Sequence, residues 1–179
     1  MKFCSHCGEP GSLKIPPGDN LPRFVCDGCG TIHYQNPNVV VGCVPVWQDR
    51  ILLCKRAIEP RSGFWTIPAG FLENRETLEE AALRETHEEA LASVNLGSLL
   101  AVVNVAHASQ IHVMFRAELT DGKFGAGEET LESALYQEDD VPWPLIAFPS
   151  VRFALERFLA DRRDGTEEVH VTAVERIKY

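Results

Sequence analysis

The sequence has no apolar run long enough to cross a membrane, because its longest apolar stretches are strand-sized and fall far short of ~20 residues. Its opening, Met1-Lys-Phe-Cys4, leads directly into a cysteine pair and shows no signal-peptide pattern. Internal repeats and low-complexity tracts are also lacking. We therefore expect a cytoplasmic protein without a membrane span. Its 179 residues suffice for one ordinary domain and a small appendage.

Positive charge is scarce relative to negative charge. The chain has 17 Lys and Arg residues against 26 Asp and Glu residues, which gives a formal net charge of −9. Phosphate backbones are held chiefly by Lys and Arg, so this balance disfavours a nucleic-acid partner. A small anionic substrate that is bridged through a divalent metal remains compatible with it.

Residues 1–36 contain little apolar sequence and cannot bury much core. Two Cys-x-x-Cys pairs lie in this region with eighteen residues between them: Cys4, Cys7, Cys26 and Cys29. The spacing fits a four-cysteine zinc ribbon, in which each pair donates two thiolates. Two disulfides or one redox dithiol are the alternatives, and a reducing compartment disfavours disulfides. We expect Zn²⁺ to supply most of the folding free energy of this lobe, although His6 and His33 lie close enough in sequence to compete as ligands.

The rest of the chain alternates apolar runs with turn-forming sequence. The apolar runs predict strands at residues 39–47, interrupted by Pro45, and at 51–56, 99–106, 111–119 and 131–136. Apolar residues at helical spacing predict a helix at 151–163. The Gly-rich, acidic stretch 121–130 predicts a mobile surface loop. The weakly alternating tail, 168–179, is expected to add an edge strand or to lie against a partner.

Carboxylates are concentrated on one predicted helix. Thr77 and Glu80 have the spacing of a capping box, so the helix should begin after Thr77 and run to about residue 91. At 100° per residue, Glu85, Glu88 and Glu89 fall within a ~100° arc. Like charges at this spacing repel, whereas a hard cation such as Mg²⁺ takes such oxygen ligands. A solvated acidic face is the ordinary alternative.

Six positions in this stretch have the spacing of a known signature: Gly70, Glu76, Arg84, Glu85, Glu88 and Glu89. The stretch resembles the signature of the Nudix hydrolases. Two positions depart from it, since Thr86 stands where an aliphatic residue is usual and Leu91 where the pattern has Gly. A Gly there would form a left-handed helix cap, a conformation that costs a branched residue ~1–2 kcal/mol. Leu91 therefore predicts a longer helix or a different ending.

The resemblance extends beyond the signature. A zinc ribbon in front of it, with the tracts His33-Tyr-Gln-Asn-Pro37 and Pro68-Ala-Gly-Phe71, makes the chain similar to Nudix proteins of bacteria and plants, among them FAD and ADP-ribose pyrophosphatases. The resemblance implies an α/β fold: a Nudix α/β/α sandwich with a mixed sheet at 37–165, preceded by the zinc ribbon at 1–36 and followed by a C-terminal tail at 166–179. It also implies hydrolysis of a nucleoside diphosphate that is linked to another group.

The resemblance implies roles for the signature residues. Glu85, Glu88 and Glu89 would hold Mg²⁺ or Mn²⁺ together with the carbonyl of Gly70, and Glu76 would pair with Arg84 to fix the loop to the helix. The general base is left open between Glu88 on the helix and three glutamates of the later region: Glu128, Glu129 and Glu132. We take Glu129 as the candidate from the later loop, which would swing in over the substrate.

A substrate with two ends needs aromatic or cationic contacts at both of them. Arg56, Arg61, Trp65 and Phe71 lie close to the signature in sequence and are candidate contacts for a small dinucleotide or nucleotide sugar. Each arginine could equally be a solvated loop charge, and Trp65 a core residue. A homodimer is left open.

Other functions fit parts of the pattern. NADH pyrophosphatases also join a zinc ribbon to a Nudix domain, but their Ser-Gln-Pro-Trp-Pro-Phe-Pro tract is matched here only by Pro142-Trp-Pro144 and Phe148-Pro-Ser150, far downstream and broken. A nucleoside triphosphate pyrophosphatase is a further alternative within the enzymes. A non-catalytic nucleotide sensor would normally lack the full set of glutamates. A zinc-ribbon interaction module with the Nudix domain as a scaffold is disfavoured by the acidic balance.

Overall fold

The computed structural model describes residues 1–175 of the chain. They form two compact units, Met1–Pro37 and a larger unit that begins at Asn38. No helix within the described part of the chain is both long and apolar enough to cross a bilayer.

The first unit is a small antiparallel sheet with two cysteine turns. Its strands β1 (Gly11–Lys14), β2 (Arg23–Cys26) and β3 (Ile32–His33) pair in the order β1-β2-β3. Each cysteine turn closes on a glycine with positive φ, Gly8 after Cys7 and Gly30 after Cys29, whose N–H donates back to the first cysteine of the turn. The unit buries few apolar side chains, as the sequence composition predicts.

The second unit has one mixed sheet of eight strands. The strands are β4 (Asn38–Trp47), β5 (Arg50–Arg56), β6 (Trp65–Thr66), β7 (Ala69–Phe71), β8 (Val94–Val105), β9 (Gln110–Leu119), β10 (Thr130–Tyr136) and β11 (His170–Ala173). Their order is β10-β5-β4-β9-β8-β11, with β6 beside β5 and β7 beside β4. The pairs β4–β9 and β8–β11 are parallel and the other pairs are antiparallel.

The two long helices cover opposite faces of this sheet. Helix α1 (Leu78–Ala90) packs in a core with Leu52 and Cys54, whereas α2 (Pro149–Asp164) packs in a core with Ile51 and Leu53. Successive residues of β5 thus alternate between the two cores, as the period of a strand requires. The result is the α/β/α sandwich that the sequence predicts.

Strand β4 is not interrupted at Pro45, contrary to the sequence prediction. Pro45 is buried and lies between the segment of β4 that pairs with β7, Val40–Gly42, and the segment that pairs with β5, Val46–Trp47. A proline has no N–H to donate to a neighbouring strand. Pro45 lies between the segments that pair with β7 and with β5, so neither of these strands requires a hydrogen bond from it.

A buried polar network fixes the C-terminal segment. Arg116 of β9 donates to a carboxylate oxygen of Asp161 in α2 and, at 2.9 Å, to the carbonyl oxygen of Glu168. The Nε2 atom of His170 lies 3.0 Å from both carboxylate oxygens of Asp161. The network therefore joins β11, within the segment described above as a tail, to the sheet and to α2.

Candidate active site and zinc site

Helix α1 begins where the sequence predicts. The Thr77 hydroxyl accepts from the Glu80 N–H at 3.1 Å, and a Glu80 carboxylate oxygen accepts from the Thr77 N–H at 2.8 Å, which completes the capping box. Its end also lies near residue 91, as predicted, but the longer helix or different ending that Leu91 was expected to give is wrong. Leu91 itself adopts the left-handed conformation, with φ of 47°, and its N–H donates to the carbonyl oxygen of His87. The helix therefore ends at Ala90 with the cap that a glycine usually forms.

Thr86, the other departure from the signature, is a residue of α1 and is fully buried on the side of the helix that faces the core. Its hydroxyl donates to the carbonyl oxygen of Ala82 at 2.7 Å and lies 3.1 Å from the sulfur of Cys43. A threonine replaces an aliphatic residue here because both polar contacts of its hydroxyl are satisfied inside the helix and the core.

Glu89 is the most enclosed of the three carboxylates on the arc. It is only 8% exposed, and one of its oxygens accepts from the Ala69 N–H at 3.1 Å. Burial raises the pKa of Glu89 to about 7; the charges of Glu85 and Glu129 act in the same direction, and that of Arg56 acts against it. Ionisation of this carboxylate therefore destabilises the folded protein, and a nearby cation would remove that destabilisation.

Glu85 lies against the backbone at Gly70. A Cβ built on Gly70 would be 2.3 Å from a Glu85 carboxylate oxygen, so any other residue would push the carboxylate away. Burial also raises the pKa of Glu85, against a hydrogen bond from Arg84 that lowers it. Glu88, by contrast, has a side chain that is 56% exposed.

Arg84 connects the loop before the helix to the carboxylates. Its Nε and NH2 groups donate to the two oxygens of Glu76 at 2.7 and 2.9 Å, and NH2 also donates to the Phe71 carbonyl at 3.2 Å. The hydrogen bond from Arg84 lowers the pKa of Glu76. The NH1 group of Arg84 donates to Glu85 at 2.7 Å and to Glu88 at 3.0 Å. The bidentate pair fixes the loop, and the remaining guanidinium nitrogen lies between two of the carboxylates.

The chemistry of this donor set suits a hard divalent cation, although oxygen atoms of all three carboxylates do not come within 4.8 Å of one another as the cysteine sulfurs do. It offers two buried carboxylates whose charged forms are disfavoured, a third carboxylate that is exposed, and the backbone at Ala69 and Gly70, which Glu89 and Glu85 approach closely. Oxygen donors of this kind suit Mg²⁺ and Mn²⁺.

The Gly-rich loop is anchored to α1, whereas the sequence predicts a mobile loop. The N–H of Gly125 donates to the Ala90 carbonyl at 2.7 Å, and that of Gly127 to the Glu89 carbonyl at 3.1 Å. A Cβ on Gly127 would be 1.7 Å from the Glu88 carbonyl oxygen. These glycines therefore allow close approach to the end of the helix and satisfy carbonyls that helix ends leave unpaired.

The three later glutamates that were considered as general bases lie in different surroundings. The Glu129 carbonyl accepts from the Ala57 N–H at 2.8 Å, and the Glu129 charge acts on Glu89. Glu132 forms an ion pair with Lys55 at 3.6 Å. Glu128 is exposed in the loop.

Of the predicted substrate contacts, Trp65 is buried, whereas Phe71 is exposed and Arg56 and Arg61 are half-buried. Trp65 is 5% exposed and packs in the core with its ring edge-on to Tyr136, so its faces are not open to a substrate ring. Phe71 is 54% exposed beside Gly70. The guanidinium of Arg56 lies 5.1 Å from the ring centroid of Phe148, and that of Arg61 lies 4.9 Å from the ring of Phe64.

Among the aromatic residues around the two arginines, the sequence indicated Phe64 as a further candidate contact, but the sequence analysis missed those of 142–153. A cavity of about 280 Å³ is lined by Arg61 and Phe64 and by residues far along the chain, including Trp143, Phe148, Arg152 and Phe153. The available signal was a cluster of aromatic residues next to prolines in 142–153, which we compared only with the tract of another enzyme.

The four cysteines of the first unit lie together. Their sulfur atoms are all within 4.8 Å of one another, and within residues 1–175 no other group of three or more His, Cys, Asp or Glu ligand atoms is this close. The Cys4–Cys29 and Cys7–Cys26 sulfur distances are 3.8 and 3.4 Å, near the ~3.8 Å expected for a tetrahedral ion with ~2.3 Å bonds to sulfur. His33 Nε2 lies 3.2 Å from the Cys4 sulfur, as a hydrogen-bond partner. The four thiolates thus fit Zn²⁺.

Comparisons with known proteins agree with this description. A family model described as Nudix N-terminal matches residues 2–35, and one described as NUDIX domain matches residues 36–155. A NUDIX hydrolase from Nitrosomonas europaea, solved by crystallography, is 49% identical over 98% of this chain and 100% of its own, with a TM-score of 0.95. An ADP-ribose pyrophosphatase from Streptococcus suis shares the fold at 20% identity, with a TM-score of 0.60 over 78% of this chain and 100% of its own.

The curated relatives are longer proteins. The NAD-capped RNA hydrolase NudC of Salmonella heidelberg (strain SL476) is 31% identical over 145 residues, which are 79% of this chain and 53% of that protein. The chain therefore spans about half the length of the curated relatives it matches. Because the NUDIX domain model matches more than half of the chain and includes the helix that carries Glu85, Glu88 and Glu89, the chain belongs to the Nudix hydrolase family.

Proposed function

We propose that this chain hydrolyses the pyrophosphate bond of a nucleoside diphosphate linked to a second group, with FAD or ADP-ribose as its preferred substrate. The main support is the pair of buried carboxylates, Glu85 and Glu89, against the backbone at Ala69 and Gly70. Arg84 already pairs with Glu85, yet burial still disfavours the charge on both carboxylates, and a bound divalent cation would stabilise the two charges together.

The signature residues divide into ion ligands and supports. Glu85, Glu88, Glu89 and the Gly70 carbonyl would hold Mg²⁺ or Mn²⁺. When bound, such an ion neutralises pyrophosphate charge and makes the attacking water more acidic. Glu76 and Arg84 keep the loop in place for this ligand set.

Other residues of the chain would act on the water and the substrate. Glu129 accepts a proton from the water whose oxygen attacks phosphorus. The bond from that phosphorus to the bridging oxygen then breaks, which gives a nucleoside monophosphate and a phosphorylated second group. Arg56 and Arg61 would offer positive charge to the phosphates, and Phe71 an exposed ring beside them. Four thiolates in residues 1–36 would hold a structural Zn²⁺, outside the reaction.

A second substrate candidate is an NAD-type dinucleotide. Relatives that are 31% identical carry the name NAD-capped RNA hydrolase, which indicates a substrate with an NAD cap for those proteins. NAD and FAD share a pyrophosphate between two nucleotide-like halves, so the same carboxylate set would serve both.

A substrate panel tests the proposal. The protein is incubated with Mg²⁺ and FAD, ADP-ribose, NADH, ATP or dGTP, and the products are resolved by chromatography. We expect kcat/KM for FAD or ADP-ribose to exceed that for either triphosphate at least tenfold, or ~1.4 kcal/mol of transition-state binding. A first rank for dGTP would refute the substrate class, and a first rank for NADH would select the second candidate.

Two variants test the base. Glu129→Gln should lower kcat by ~100-fold or more, since general bases contribute 10²–10⁴-fold. Glu128→Gln, in the same loop, is the matched control and should stay within about threefold of wild type. Equal losses in both variants, or a loss only at Glu128, would remove Glu129 from this role.

A further inference from the structure

A cavity near α2 has a lining that the pyrophosphate chemistry does not require. Its volume is about 280 Å³, and its walls come from the loop before β6, from the short turn Trp143–Leu145 and from the first turns of α2. The turn and the β6 region are held together by the Ala147 N–H, which donates to the Trp65 carbonyl at 2.8 Å. The walls are therefore parts of the folded scaffold.

The cavity combines aromatic rings with guanidinium groups. Four partly buried rings line it, with two arginines: Phe64, Trp143, Phe148, Phe153, Arg61 and Arg152. Arg61 lies 4.9 Å from the ring of Phe64, and Arg152 lies 5.6 Å from that of Trp143. Glu156 balances part of the charge, since Arg152 donates to it at 2.8 Å. An aliphatic ligand would make no use of the cations, and a bare phosphate would make no use of four rings.

Arg56 relates the cavity wall to the carboxylates of α1. Arg56 stacks on Phe148, a ring of the cavity wall, at 5.1 Å, and its charge also acts on Glu89. A ligand in the cavity could extend its phosphate past Arg56 toward α1.

We infer that this cavity binds the adenine ring of the AMP half of the substrate. The inference rests on the proposed function, because adenine is the ring that FAD, ADP-ribose and NAD have in common. A planar ring stacks on aromatic and guanidinium faces, and the phosphate attached to it uses the cations. The residues that carry this role are Trp143, Phe148 and Phe153, with Arg152 at the rim.

The test measures binding without catalysis. The full zinc-loaded chain, in buffer without added Mg²⁺ or Mn²⁺, is titrated with AMP and, separately, with ribose 5-phosphate, which has the phosphate and sugar but no base. Binding is followed by tryptophan fluorescence and confirmed by calorimetry. We expect AMP to bind at least tenfold more tightly than ribose 5-phosphate. Equal affinity, or no AMP binding at millimolar concentration, would overturn the inference.

Variants locate the ring. Trp143→Leu and Arg152→Gln should each raise the Kd of AMP at least fivefold. Arg157→Gln is the matched control, because Arg157 is also exposed on α2 and lies 5.5 Å from the Phe153 ring, yet it does not line the cavity; its Kd should stay within twofold. Arg152 is on the surface, so Arg152→Gln remains informative even if Trp143→Leu unfolds. Unchanged AMP affinity in Arg152→Gln and in folded Trp143→Leu would place the base elsewhere.

Hydrolysis assays separate this inference from the proposed function. If the substrates are cleaved and Arg152→Gln raises the KM for ADP-ribose at least fivefold with kcat within twofold, both stand. Cleavage with an unchanged KM in Arg152→Gln would overturn the cavity assignment alone. AMP binding that depends on the cavity, in a protein that cleaves no member of the panel with Mg²⁺ or Mn²⁺, would overturn the proposed function alone.

Discussion

Substitution of Glu89 by Gln should stabilise the metal-free protein at high pH. Gln has the same shape, has no charge, and can still accept the hydrogen bond from the Ala69 N–H. Burial raises the pKa of Glu89 from an ordinary 4.5 to about 7, so the folded state disfavours the ionised side chain. The stabilisation of the folded state by Glu89 is therefore complete below pH 4.5 and is lost as the pH rises through about 7.

The magnitude follows from the same two values. One pH unit between the folded and unfolded pKa corresponds to 1.36 kcal/mol, so ionisation of Glu89 costs the folded state ~3 kcal/mol above pH 7. We expect Glu89→Gln to be about 2–3 kcal/mol more stable than wild type at pH 8 in EDTA and within ~0.5 kcal/mol of it near pH 4.5. The gain should appear between these two pH values.

Urea denaturation at several pH values, with EDTA, measures this gain. Glu88→Gln is the matched control on the same helix face: its side chain is 56% exposed, and its loss should change stability by less than ~1 kcal/mol. Saturating Mg²⁺ should stabilise wild type more than Glu89→Gln, because binding favours the folded state only where ligands remain. A Glu89→Gln variant no more stable than wild type at pH 8 in EDTA would refute the reasoning.

Three further predictions concern other parts of the chain. The protein should contain one Zn²⁺ per chain, and Cys26→Ser should release it while the larger unit still melts cooperatively; zinc-free wild type by elemental analysis would contradict this. Gly127→Ala, whose methyl would meet a helix carbonyl oxygen at 1.7 Å, should lose about 1–3 kcal/mol by urea denaturation, more than Gly97→Ala with its nearest atom at 3.3 Å. Asp161→Leu should lose about 3–5 kcal/mol, because it leaves Arg116 buried without its partner, and adding Arg116→Met should recover at least half; a loss under ~1 kcal/mol would show that the network stabilises little.

The sequence predicts the features that depend on neighbours along the chain. The capping box of Thr77 and Glu80 fixes the start of α1, and each Cys-x-x-Cys turn brings two thiolates together, because both devices close within a few residues. The alternation of apolar residues likewise predicts the main strands. Local spacing therefore predicted the start of α1 and the cysteine cluster, whereas the fold class and the carboxylate ligand set were implied by the resemblance to the Nudix signature; the fold class is confirmed, and the ligand set stays a prediction.

Contacts between distant segments were not predictable in this way. Arg116 and Asp161 are separated by 45 positions, and no local pattern distinguishes a buried arginine with a partner from an exposed one. The cavity joins Phe64 to Trp143 and Phe153, whose aromatic character alone suggests ordinary core. The expectation from Leu91, a longer helix or a different ending, was wrong for a related reason. The intrinsic preference of leucine disfavours the left-handed conformation, but tertiary contacts beside Leu91 fix the end of the helix, such as the hydrogen bond from the Gly125 N–H to the Ala90 carbonyl.

The Gly-rich loop illustrates why glycine is ambiguous in a sequence. Glycine permits mobility, but it also permits close approach of two backbones. The sequence shows the same residue in both cases, so it does not distinguish them. Here the approach of Gly127 to the end of α1 explains the residue, and two N–H donors tie the loop to the helix that carries Glu88 and Glu89. The backbone at Glu129 is held in this arrangement too, since its carbonyl accepts from the Ala57 N–H at 2.8 Å. The proposed base is therefore part of an anchored loop, and its own side chain is exposed. A base on a loop that is already anchored requires no free energy for ordering that loop before the reaction. This favours Glu129 over a residue on a loop that would first have to move to the site.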